Sequence, residues 1–194
     1  MSSLTDMLLG QLGDDGLATL TKSLGSNPQA TKAATAAAIP LLFSALAKNA
    51  ATSDGAEALA GALDRDHDGG ALGNLMNAFS QDSNTEGEGI LKHVLGGRRA
   101  NAESGIAAAS GLDATQTSAM LAKLAPLVMG ALGKAKRENN LDSNGVTDLL
   151  RGEHGQVQQK LGGLAGLLDR DGDGSIADDL LGGIAGSLFG RRKN

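Results

Sequence analysis

Three aspartates at every second position, Asp169, Asp171 and Asp173, precede Gly174 and Ser175 in the stretch LDRDGDGSIADDL, 168–180. Asp178 and Asp179 follow three and four residues after Ser175. So much like charge in one turn repels itself unless a cation is held there. The spacing is that of a calcium loop. Calcium takes roughly six to eight oxygens, and an EF-hand loop supplies them from side chains at its first, third and fifth positions, a backbone carbonyl at the seventh and an acidic closing residue. Here Asp169, Asp171 and Asp173 fill the side-chain positions, Gly174 allows the sharp turn, and Ser175 stands where the carbonyl is needed. The twelfth position, a bidentate Glu in the EF-hand form, is Leu180, so the expected loop closes about one residue early on Asp179 or Asp178. Magnesium would require stricter octahedral geometry and more retained water, which favours calcium. The competing reading is a helix cap. Ser175 and Asp178 are spaced as a capping pair, and acids in a first turn complement the helix dipole. That accounts for the last two acids and leaves the first three unexplained.

The same opening recurs in LDRDHDGGALGNL, 63–75. Asp64, Asp66 and Asp68 precede Gly69, Gly70 takes the carbonyl position, and Asn74 replaces the closing aspartate. Fewer charges predict a weaker site, or one completed by water. A third stretch, NNLDSNG at 139–145, has related spacing through Asn140, Asp142 and Asn144. Its neutral side chains point to an ordinary capped turn. His67, His93 and His154 form no helical i, i+4 pair and accompany no nucleophile, so they read as solvated or locally bonded. With no phosphate-binding glycine loop and no nucleophile elbow, no catalytic residue is assigned and the chain is expected not to be an enzyme.

The elements that must position these loops are written twice. A shift of 86 residues lays GSNPQATKAATAAAIPLLFSALAK, from Gly25, on GLDATQTSAMLAKLAPLVMGALGK, from Gly111, with Pro40 on Pro126 and Lys48 on Lys134. The same shift lays LTDMLLGQLG, 4–13, on ILKHVLGGRR, 90–99. The acidic stretches match only at a shift of 105, so the second copy carries 19 more residues, within 134–160. The expected fold is all-α, with duplicated multi-helix halves that each end in an acidic turn and a short helix. The halves fall at 1–80 and 90–194, joined by a polar, glycine-rich linker at 81–89. Asn27 before Pro28 reads as an N-cap with proline in the first turn, and Asp113 occupies the matching place. Met120, Leu121, Leu124, Leu127 and Val128 recur at helical spacing. An interior proline costs about 3 kcal/mol, so Pro40 and Pro126 each mark a kink or a break between two shorter helices.

Composition limits the function classes. The 194 residues contain no Tyr or Trp and three Phe, so aliphatic side chains must fill the core, and 29 Gly favour helices in close contact. A formal charge of −5 and the absence of aromatic platforms give nucleic-acid binding little support, although GRRAN at 97–101 and the C-terminal GRRKN are basic. No cysteine is present, which removes thiolate metal sites and disulfides. The first residues lack a basic signal-peptide start, and the longest apolar run, 33–47, is shorter than the roughly 20 residues a membrane span needs. A cytoplasmic location is expected, with export by a route without a signal peptide as the alternative.

The segments ILKHVLGG, LAPLVMGALGK and LLDRDGDGSIADDLLGGIAG together resemble the bacterial DUF-937 family, similar in character to YidB-like proteins. The resemblance is best over 88–190 and implies an all-helical bacterial protein. The family is defined by its unknown function and implies no catalytic residues. The leading expectation is therefore a non-enzymatic calcium-binding helical protein, the ion being structural or modulating a protein-interaction surface. The alternatives are an assembly or adaptor module whose acidic loops are only capped turns, with a protein partner or self-association, and a helical nucleic-acid binder.

Overall fold

The computed structural model describes residues 3–65, 79, 84–153 and 155, and among these every regular element is a helix. Helix α1 spans Leu4–Leu24, α2 Pro28–Asn49 and α3 Ser53–Arg65. Helix α4 spans Asn84–Val94, a 3-10 turn Gly96–Arg98 leads into α5, Arg99–Ser110, and α6 runs over Ala114–Glu138. A seventh helix, α7, covers residues 143–153. The chain divides into two units, Met1–His154 and Gly155–Asn194, and the description below concerns the first.

The helices begin and end where their polar backbone groups find partners. Asn27 Oδ1 accepts from the Ala30 N–H at 2.7 Å, with Pro28 in the first turn of α2. Asp113 and Gln116 close a full capping box on α6: Asp113 Oδ1 accepts from the Gln116 N–H at 2.8 Å, and Gln116 Oε1 accepts from the Asp113 N–H at 3.2 Å. Gly25 and Gly111 end α1 and α5 in left-handed backbone, φ 60° and 78°. Asn140 does the same after α6 at φ 49°, with the Leu141 N–H donating to the Lys136 carbonyl at 2.8 Å. Positions related by the 86-residue shift, Asn27 with Asp113 and Gly25 with Gly111, thus play paired local roles.

Helix α6 is the centre of the unit. Every residue from Met120 to Gly133 is buried, which is the pattern of a helix surrounded by others rather than one lying on a surface. Helix α4 packs most extensively on it, and α1, α2, α3 and α5 also touch it. Leu8, Leu20, Ile39, Leu42, Phe43, Leu63, Leu91, Leu121, Leu124 and Leu127 form one continuous core. Residues 3–65 and 84–153 therefore share an interior: α2 packs on α5 and α6, and α1 on α6.

The structure adds detail to three expectations. First, α2 and α6 run through Pro40 and Pro126 as single helices. The break falls instead inside α1, at Gly13 with φ 53° and ψ −169°, a conformation open only to glycine. Second, the composition-based linker 81–89 is helical from Asn84 onward. Gly87 and Gly89 lower its intrinsic helix propensity, but the packing of α4 on α6 overrides it. Third, the helix that contains the apolar run 33–47 extends to 22 residues, Pro28–Asn49, and is long and apolar enough by length and composition to cross a membrane, with a mean hydropathy of 1.4. Its more apolar window is 56% buried against the neighbouring helices, as befits a core helix.

Candidate functional site

The acidic positions divide between residues the structure describes and residues it does not. Asp66, Asp68, Gly70 and Asn74 of the first loop, and Asp169, Asp171, Asp173, Ser175, Asp178 and Asp179 of the second, lie outside the described residues. His67 and His154 lie outside them as well. Asp64 is described. It sits in the last turn of α3, where its Oδ1 accepts from Lys136 Nζ at 2.6 Å. The lysine side chain is 14% exposed and the aspartate 55%. The first carboxylate of the first acidic stretch therefore already faces an ammonium group supplied by α6. Among the described residues no three His, Asp or Glu side chains converge as a metal site would require.

The third acidic stretch is a capped turn, as its neutral side chains suggested. Asp142 Oδ1 accepts from the Gly145 N–H at 2.8 Å, and the Asp142 carbonyl accepts from the Val146 N–H at 3.0 Å, which starts α7. His93 is exposed, its Nδ1 at 2.9 Å from the Gly89 carbonyl one turn earlier, so it is locally bonded.

The GRRAN segment does not present two free arginines. Arg98 is exposed at the end of the 3-10 turn, whereas Arg99 is gripped from three sides. Its guanidinium pairs in fork geometry with Glu88 of α4, through Nη1 to Oε2 and Nη2 to Oε1, the latter at 2.8 Å. Its Nε donates to Glu103 Oε1 at 2.7 Å, one turn along α5, and Nη2 donates to Ser118 Oγ of α6 at 2.8 Å. The hydrogen bonds it donates to Glu88 and then to Glu103 raise the arginine further above its already high range, while burial pushes the other way. The hydrogen bond from Arg99, with its charge, holds Glu88 below the ordinary glutamate value although partial burial pushes the other way. A shallow groove beside this cluster is lined by Glu88, Ala114, Thr115, Ser118 and Ala119. The arrangement ties α4, α5 and α6 together and has no nucleophile–base pair.

Two buried charges were not legible from the sequence. Lys123, 8% exposed in the middle of α6, donates from Nζ to the Phe79 carbonyl at 3.2 Å. Glu153 of α7, 3% exposed, reaches the start of α1. Its Oε1 accepts from the Leu4 N–H at 2.7 Å, and its Oε2 accepts from the Thr5 N–H at 3.2 Å and the Thr5 hydroxyl at 3.3 Å. No spacing rule links Glu153 to Leu4, 149 positions away. The i, i+4 pair of Arg99 and Glu103 could have been anticipated from spacing alone.

A family model described as a bacterial protein of unknown function (DUF937) matches residues 6–135. No curated protein and no solved structure matches the chain.

Proposed function

The chain belongs to the DUF937 family of bacterial proteins of unknown function, and from that premise, which carries no substrate or catalytic residue, we propose that it is a non-enzymatic calcium-binding helical protein. The observation that carries this reading is the spacing of Asp169, Asp171 and Asp173 ahead of Gly174 and Ser175, with Asp178 and Asp179 available to close the loop. Among the described residues, the charges of Arg99, Glu153 and Asp142 are taken up in an ion pair and helix caps, which leaves the aspartate spacing as the basis of the reading. In this reading Asp64, Asp66 and Asp68, with Gly70 and Asn74, form the weaker of two sites. The Lys136 ammonium against Asp64 adds a second reason for weakness, since an incoming ion must compete with it. Titrating calcium into the metal-stripped full chain by calorimetry tests the proposal. Binding that is abolished in the double variant Asp171→Ala, Asp173→Ala is expected; absence of heat from the wild type overturns it.

One observation favours a second reading, an assembly or adaptor module whose acidic loops are capped turns. Asp142 shows that this chain uses an aspartate three residues before a glycine as a plain N-cap. Under that reading the double variant weakens helix formation equally with calcium and with chelator. The engagement of Arg99 by Glu88 and Glu103 removes a cation from the nucleic-acid alternative, which is the least supported of the three.

A further inference from the structure

We propose that Glu153 is a latch that makes the first turn of α1 and the segment of α7 around residues 149–153 open and close as one element. Four backbone N–H groups at the start of any α-helix lack intrahelical acceptors. In α1 three of these, on Leu4, Thr5 and Asp6, are satisfied by two separate devices. Ser3 is the first: its Oγ accepts from the Asp6 N–H at 3.0 Å, while its carbonyl accepts the first regular helix bond from the Met7 N–H at 2.9 Å. Glu153 is the second, taking the Leu4 and Thr5 N–H groups on its two oxygens.

The carboxylate is buried, and among the described residues no lysine or arginine pairs with it. Its charge is answered by the positive end of α1 and the Thr5 hydroxyl. Separation therefore leaves three donors and a buried anion without partners at once, a cost neither helix end can avoid by moving alone. The rest of α7 is held through Val146 and Leu150 in the core and through the Thr147 hydroxyl, which contacts the Ala50 carbonyl at 3.4 Å. Glu153 is the last described residue before the boundary between the two units at His154 and Gly155.

Coupling of this kind is reciprocal, which separates a latch from a local cap. The test is residue-resolved amide hydrogen exchange on the full chain, comparing wild type with Ser3→Ala and Glu153→Gln. Ser3→Ala touches only the α1 side, yet it is expected to speed exchange of amides 149–153 about threefold or more, on the scale of a lost N-cap. Glu153→Gln is expected to speed exchange at Leu4 and Thr5 about tenfold, because the amide nitrogen cannot accept from both N–H groups. The Leu124 and Leu127 amides of α6 should keep their wild-type rates in both variants. The proposal is overturned if Ser3→Ala leaves 149–153 unchanged, or if all amides speed up equally, which would mark global destabilisation.

Discussion

Gly87 of α4 stands directly over the carbonyl of Ala122 in α6. A β-carbon built on Gly87 would lie 1.8 Å from that oxygen. The i+4 partner of Ala122 is Pro126, which has no N–H to give, so the proline frees a buried carbonyl and the glycine brings a Cα–H group against it. The corresponding proline of α2, Pro40, frees the carbonyl of Ala36, an exposed residue where water can serve. The same residue type is thus accommodated by close helix contact in the centre of the core and by solvent at its surface.

Gly87→Ala should be among the most damaging single substitutions in the chain. The clash is with backbone, so α4 must lift from α6, and we expect a loss of about 3 kcal/mol or more in urea unfolding, in the range of overpacked cores. Restoring a donor by adding Pro126→Ala should not rescue it, since the obstacle is steric. Full stability in Gly87→Ala would contradict the contact.

Gly13 and Gly10 make a paired test of the break in α1. Both have open space at the β-carbon position, but only Gly13 has positive φ. Gly13→Ala is expected to cost about 1–3 kcal/mol from backbone strain. Gly10→Ala, in regular helix, is expected to stabilise by roughly 0.5–1 kcal/mol. Thermal unfolding of the two variants reads the difference in sign.

The Arg99 cluster makes stability depend on acidity in a defined direction. Glu88 is held below its ordinary value when folded, so its contribution is present above the ordinary glutamate range and is lost as pH falls through the lowered folded value. Because the glutamate side chain is 44% exposed, the contribution should be modest, about 1 kcal/mol or less after screening. Wild type should exceed Glu88→Gln in stability at neutral pH, and the gap should close on acidification. A constant gap across an acid titration would show that the pair does not act through charge.

Under the calcium reading, Lys136→Met should strengthen the weaker of the two sites, because Asp64 loses its competing ammonium. An increase of about threefold to tenfold in affinity at that site, with the stronger site unchanged, is the expected calorimetric result for a partly exposed pair. A drop in affinity at the weaker site would mean that Lys136 positions Asp64 for the ion rather than competing with it.

Local structure was legible where short-range physics determines it. The caps at Asn27 and Asp113 and the turn at Asp142 follow from side chains that reach their own backbone within three residues. The first carboxylate of the acidic stretch at 63–75 could be named from spacing, but not its engagement, because Lys136 is 72 residues away. How the prolines are accommodated was not legible for a related reason. Their cost in an isolated helix is fixed, whereas in α6 the freed carbonyl is met by Gly87, and no local rule anticipates that contact.

By themselves, the residues determined the all-helical class, the paired caps, the absence of thiol chemistry and the aspartate spacing on which the calcium proposal rests. These depend on side-chain type and on intervals of a few residues, which hydrogen-bond reach and helical periodicity translate directly into structure. Tertiary structure decided which charges are spoken for: Arg99 by Glu88, Glu103 and Ser118, Asp64 by Lys136, and the start of α1 by Glu153. Apart from the i, i+4 contact with Glu103, these pairings join residues that chain spacing leaves unrelated. Only burial of the shared core brings them within hydrogen-bonding distance.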